Sequence, residues 1–143
     1  MKLFFASDHA GLNLRRALIE HAAELGHSVT DLGPVDGESV DYPDFANALA
    51  EALAADPEAQ GVAVCGSGIG ISIALNRHRH VRAALVHDVT SATLTRRHND
   101  ANVVAFGERL IGIETAKDAL AAFLGTAFEG GRHERRVAKL SPR

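Results

Sequence analysis

Gly61-Val62-Ala63-Val64-Cys65-Gly66-Ser67-Gly68-Ile69-Gly70-Ile71-Ser72-Ile73 is the stretch on which the fold turns. Residues 62–64 form a short apolar run of the kind that becomes a buried strand, and residues 69–75 read as an apolar helix. Three alternating glycines between them let the chain turn sharply from one element into the next. Cys65, the sole cysteine of the chain, stands at the join. Backbone N–H groups converge at such a helix start, and the helix dipole there stabilises negative charge. A thiol so placed is a candidate base or nucleophile. Taken alone, an unpaired cysteine is more often a small buried hydrophobe, so the rest of the chain must supply its partners.

Working outward, the same alternation of short apolar runs with amphipathic segments recurs along the chain, which is the pattern of βα units on a parallel sheet. Residues 2–6 read as strand one, bounded by Ser7-Asp8-His9-Ala10-Gly11. Leu14, Leu18, Ala22 and Leu25 then fall at helical spacing, with Gly26 as the stop. Residues 27–32 are strand two and 33–41 a loop rich in Gly and Asp. Pro43 opens a helix in which Phe45, Leu49, Ala52 and Leu53 share a face. Strand three covers residues 61–64, strand four 81–86, and strand five 101–106. A short helix is expected from about Thr90 to Arg97, and another after Gly112 with Ile113, Ala116, Leu120 and Phe123 facing inward. The expectation is a single-domain α/β fold over residues 1–143, a Rossmann-like, doubly wound, five-stranded parallel sheet flanked by helices. A basic tail follows from about residue 128 to 143. Strand order is not legible here; in the common 2-1-3-4-5 order, the crevice opens between strands one and three at their C-terminal ends.

That crevice would bring Asp8 and His9, at the end of strand one, to Cys65, Gly66 and Ser67. The loop after strand four and residues 96–100 before strand five are expected to approach as well. The glycine spacing is not the dinucleotide fingerprint, and no lysine follows for a P-loop. What remains is a turn whose N–H groups can hold an oxyanion or one phosphate. Arg132 and Arg136, four apart, share a helix face and offer two planar forks of donors for a phosphate, although a solvated basic tail is the plainer reading.

Composition excludes several classes. Of 143 residues, 46% are hydrophobic and 23% charged, so a sizeable core is available. A formal charge of −3 argues against a nucleic-acid partner. No apolar run is long enough for a membrane span, and the N-terminus lacks a signal-peptide layout. One cysteine fits a reducing cytoplasm. Among eight histidines only His9 and His98 occupy candidate site positions, and no close His pair lies on a helix face, so no metal site is expected.

Six motifs taken together resemble a known family: Asp8-His9-Ala10-Gly11; Asp41-Tyr42-Pro43; residues 65–70; Arg97-His98-Asn99-Asp100-Ala101-Asn102-Val103; Phe106-Gly107; and Phe128-Glu129-Gly130-Gly131-Arg132-His133. The family is ribose-5-phosphate isomerase type B, which includes the galactose-6-phosphate isomerase subunits. The motifs run in the right order along almost the whole chain. The resemblance implies a cofactor-free aldose–ketose isomerase interconverting ribose 5-phosphate and ribulose 5-phosphate. It also implies a homodimer, or a dimer of dimers, whose sites are assembled from two subunits. By this resemblance Cys65 is the base moving a proton between C1 and C2. Ser67 and the amides of Gly68, Ile69 and Gly70 cradle the enediolate, with Gly66 a further substrate contact. His98 opens the furanose ring, with Asp8 as a polar partner. His9, Arg132 and Arg136 take the phosphate; Asn99 and Arg109 are further contacts, and Tyr42 either touches substrate or packs. Another branch of the family uses a glutamate six residues after the cysteine position. Here that place is Ile71, so this chain resembles the cysteine branch.

The chemistry agrees with that implication. Proton abstraction next to a carbonyl needs a base and an oxyanion holder, and phosphate binding far from the reacting carbons can orient them. Two other readings remain: the same chemistry on an allose, galactose or tetrose phosphate, or a non-catalytic sugar-phosphate-binding module.

Overall fold

The computed structural model describes residues 1–140; the last three residues of the expected basic tail, 141–143, lie outside the described residues. The strands are β1 (Lys2–Ser7), β2 (Ser28–Asp31), β3 (Gln60–Cys65), β4 (Ala83–Leu85) and β5 (Val103–Gly107). The helices are α1 (Leu12–Glu24), α2 (Tyr42–Ala55), α3 (Ile69–Leu75), α4 (Val89–Asn99), α5 (Ile113–Gly125) and α6 (Arg132–Ala138), and a single 3-10 turn, His9–Gly11, precedes α1.

All strands are parallel, in the order β2-β1-β3-β5-β4. This departs from the 2-1-3-4-5 order by exchanging the last two strands. The reason lies in burial. β5 is apolar and fully buried, as suits a strand covered on both faces, whereas β4 is three half-buried residues at the sheet edge. β4 is also shorter than expected because the backbone of Arg82 is diverted: its N–H donates to Asn102 Oδ1 at 2.7 Å, and its carbonyl accepts from Asn102 N–H.

Right-handed crossovers then decide which helix covers which face. The connections β1–α1–β2 and β4–α4–β5 run one way along the sheet, and β2–α2–β3 and β3–α3–β4 run the other. Accordingly α1, α4 and α5 enclose one core with Leu3, Phe5, Val62, Val64 and Phe106. On the opposite face α2 and α3 pack over Phe4, Ala6, Ala63, Cys65 and Ala105. Strand alternation thus sends Cys65 to the α2/α3 side. Burying each large apolar side chain contributes roughly 1.5–3 kcal/mol against the entropy of ordering it. Between β1 and β3 the crossovers diverge, and a crevice opens at the C-terminal strand ends.

Candidate active site

β1 and β3 pair in register with Ser7 opposite Val64, and Asp8 N–H donates to the Val64 carbonyl at 3.2 Å. The chain leaving β1 is therefore held beside the chain leaving β3. A cleft of about 350 Å³ opens there, lined by Asp8, His9, Ala10, Tyr42, Cys65, Gly66, Ser67, Gly70, Arg109 and Leu110. Eight of these were expected from the sequence; Ala10 and Leu110 were not, since an alanine and a leucine carry no chemical signal.

Within the cleft each polar group is held by its neighbours. The Asp8 carboxylate caps the 3-10 turn by accepting the Ala10 N–H at 2.9 Å, and only 7% of the residue is exposed. His9 Nδ1 lies 3.1 Å from the Val40 nitrogen, whose N–H can donate to it, and 3.2 Å from the Val40 carbonyl, which can accept from it, so the Val40 backbone can hold either tautomer. The glycine turn folds back on the sulfur: Gly68 N–H donates to Cys65 Sγ at 3.1 Å. Gly68 has φ +74°, and a Cβ there would meet Leu85 Cδ1 at 2.5 Å and the Phe106 carbonyl carbon at 2.8 Å. Only glycine fits that backbone without strain.

Ile69 N–H donates to Ser67 Oγ at 3.2 Å. Of the three amides expected to cradle an oxyanion, two are therefore spoken for by side chains, and the Gly70 N–H is the one left open at the start of α3. Tyr42 rests its ring against Gly70, where a Cβ would come within 2.7 Å of the ring. Tyr42 thus both packs on the turn and lines the cleft. The Arg109 guanidinium lies against Gly66, and the Arg109 N–H donates to the Gly66 carbonyl at 3.0 Å. Ile69 itself is half exposed and Gly68 buried, and neither lines the cleft.

The remaining expected residues lie elsewhere. α4 starts at the C-terminal edge of the sheet and runs back to where β5 begins, so His98 and Asn99 sit at the N-terminal edge. From Val103, opposite Gly61, to Gly107, opposite Cys65, β5 advances about 13 Å. Residues 96–100, expected to approach the crevice, therefore do not reach it within one chain: a segment that precedes a strand lies at the end the strand comes from. α5 runs the same way as α4, which carries the tail to that edge too. There Glu129 N–H donates to the Arg97 carbonyl at 3.1 Å. The His98 and His133 rings stack with centroids 4.4 Å apart and planes 15° from parallel. Arg132 and Arg136 stand exposed on α6 beside them, and Asn99 lines a separate cavity of about 490 Å³ with Arg77, His78, Arg79 and Arg82. Burial first, then the neighbouring His98 and Arg132, holds the His133 imidazole below the usual histidine range.

One supporting residue went unread in the sequence. Arg15 is 1% exposed in α1. Its guanidinium donates to Ser7 Oγ and the Pro34 carbonyl, and its Nε lies 3.1 Å from Asp31 Oδ1. It ties the end of β1 to the loop whose Val40 holds His9, and burial lowers its pKa. The signal was present: Arg15, Leu18 and Ala22 fall on one helical face.

Two ends of one parallel sheet thus carry polar groups: a thiol, a glycine turn and a carboxylate in the switch-point cleft, and imidazoles with guanidiniums at the opposite edge. Fold and cleft define a doubly wound α/β protein with a cleft at the β1/β3 switch point, the place where such sheets bind their ligands. The chain belongs to the ribose/galactose isomerase family, which it matches over residues 3–140. It is 42% identical to ribose-5-phosphate isomerase B of Escherichia coli over 140 residues, covering 98% of this chain and 94% of that protein. Among solved structures, ribose-5-phosphate isomerase B of Clostridium thermocellum superposes with a TM-score of 0.95 at 43% identity, covering 99% of this chain and 95% of that one. The Mycoplasma genitalium ribose-5-phosphate isomerase B with bound ribulose 5-phosphate gives a TM-score of 0.93 at 38% identity, covering 97% and 93%.

Proposed function

We propose that the protein is a cofactor-free aldose–ketose isomerase that interconverts D-ribose 5-phosphate and D-ribulose 5-phosphate. The observation that carries this reading is the Cys65 sulfur at the wall of the switch-point cleft, held by a turn amide and flanked by Asp8, His9 and Ser67. In the proposed cycle Cys65 Sγ, as thiolate, takes the proton from C2 of the open-chain aldose. The electron pair moves to the carbonyl oxygen, giving an enediolate. A proton passes from O2 to O1 of the enediolate, the same sulfur returns the C2 proton to C1, and the C2 carbonyl of the ketose forms. Ser67 and the open Gly70 amide are the donors for the enediolate oxygen. The cleft residues have a base and an oxyanion holder but, apart from His9 and Arg109, little to grip a dianion.

The missing part is proposed to come from a second copy of the chain. In a homodimer, His98 and Asn99 of the partner subunit, with Arg132 and Arg136 of the partner subunit, would close the cleft, opening the sugar ring and binding the phosphate with His9. Two features support this reading: the separation of the two polar groups along the sheet, and apolar side chains exposed around the cleft. Tyr42, Ile69, Ile73 and Leu110 are between 39% and 58% exposed there, and Ile69 and Ile73 lie four apart on α3. No helix among the described residues is long and apolar enough to cross a membrane. With the lone free thiol, this fits work in a reducing cytoplasm.

The test is turnover by the purified protein with no added metal or nucleotide. Cys65→Ala is expected to lower kcat by about 10²–10⁴-fold, as for loss of a general base, while sugar-phosphate binding by thermal shift persists. Near-normal turnover by that variant would remove Cys65 from the chemistry, and binding without turnover by the native protein would leave a sensor instead of an enzyme.

A further inference from the structure

His98 near the end of α4, Glu129 in the tail and His133 at the start of α6 each offer one ligand atom, and all three atoms lie within 4.8 Å of one another. We infer that these three residues form a binding site for a divalent transition-metal ion of the zinc type. The sequence hid it, because its ligands come from three separate elements instead of one helix face.

The cluster is held together by backbone. Glu129 N–H is bonded to the Arg97 carbonyl, next to His98, and His133 N–H to the Gly130 carbonyl at 3.1 Å, so the tail is folded back on the α4 terminus. His133 is only 4% exposed, and its Nε2 is buried with no hydrogen-bond partner. Leaving a ring nitrogen buried and unpaired costs free energy, and a metal ion is a partner that would remove that cost. Two imidazoles and a carboxylate are the donor set of open, three-ligand zinc sites, with water in the fourth position. A tetrahedral zinc ion holds its donors about 3.3 Å apart, so the three atoms need to close by about 1.5 Å at most. Coordination needs the two stacked rings turned so that both point a nitrogen at the ion, and the exposed Glu129 side chain swung in. The charge of Glu129 also offsets the repulsion from Arg132 and Arg136 on α6. An ion held here occupies His98, so if His98 opens the sugar ring, as proposed above, zinc inhibits the isomerase.

Cobalt(II) reports the site directly through its visible d–d absorption. Titrated into the purified protein, it is expected to bind one ion per chain with bands of a nitrogen/oxygen set. Glu129→Gln and His133→Asn are each expected to weaken that binding by at least tenfold, roughly the cost of losing a metal's supporting contacts. Absence of the bands in the native protein overturns the inference. So does undiminished binding by both variants, which would move the ion to His78 and His80, or an added thiolate charge-transfer band, which would move it to Cys65. Zinc inhibition is read separately. Cobalt bound at this site without zinc inhibition would upset the ring-opening role of His98 and leave the metal site standing.

Discussion

Chains carrying Cys65→Ala and chains carrying His98→Asn, co-expressed, are expected to regain about one quarter of native turnover although each variant alone is nearly inactive. The expectation follows from geometry. Along β5, about 13 Å separate the level of Gly61 from that of Cys65, and His98 lies before the start of that strand. No side-chain rotation brings the imidazole of a chain to its own sulfur. In the proposed two-fold dimer the upper edge of one sheet can face the lower edge of the other, so each site would take its sulfur from one subunit and its imidazole from its mate. Random pairing makes half the dimers mixed. A mixed dimer has one site with both groups intact and one with both replaced. Each parent retains on the order of 1% or less, the usual loss on removing an acid–base group, so one quarter stands far above background. Two affinity tags isolate the mixed species, whose turnover is then about half the native value per dimer. Ketose formation from ribose 5-phosphate is the assay. If each site were built within one chain, every chain would carry a defect and mixing would recover nothing. A mixed dimer no more active than its parents therefore refutes the shared site.

Other outcomes follow from packing and charge. Gly68→Ala puts a Cβ into a left-handed backbone position against Leu85 and the Phe106 carbonyl carbon; backbone strain and overpacking together cost about 2–5 kcal/mol, readable as a lower urea midpoint. A midpoint unchanged by the substitution would show that the turn is looser than its contacts say. Arg15→Leu leaves the Pro34 carbonyl unpaired in the interior and takes from Ser7 Oγ the donor it accepts from, its own bond to the Asp8 carbonyl remaining, and is expected to lose about 1–3 kcal/mol of stability, with KM rising through the loop that holds His9; a variant as stable as the native chain would mean those groups find water. Asp88 caps α4 by accepting the Ser91 N–H at 2.6 Å, and that bond, then the Ser91 hydroxyl, holds its carboxyl below the usual range. Its folded-state pKa is lower than its unfolded one, so its contribution is complete above about pH 5 and is lost as pH falls through the lowered value. Asp88→Asn, which cannot titrate, should therefore show a shallower loss of melting temperature on acidification; identical acid profiles would dismiss the effect.

How much of this was legible beforehand differs by residue. The strand–turn–helix at residues 60–75 is written locally: β-branched residues extend, glycines turn, and the apolar spacing on α3 coils, all within a few residues of chain. The juxtaposition of Asp8 and His9 with Cys65 was legible only through the common strand order, in which strands one and three are neighbours and present their C-terminal ends together at the switch point. The position of His98 was not. Its neighbours in sequence give no sign of which end of the sheet they occupy until the direction of α4 is known.

By itself, then, the sequence determined a parallel α/β sheet, the turn that cups the sulfur, and the residue types of the proposed acid–base and phosphate site. Tertiary structure alone decided that β5 lies inside β4, that the two polar groups stand at opposite edges, and that Glu129, His98 and His133 meet. Local preference acts over one or two turns of chain. Strand order and edge-to-edge distance are set by which apolar surfaces bury one another across the whole fold, and no short window of residues carries that information.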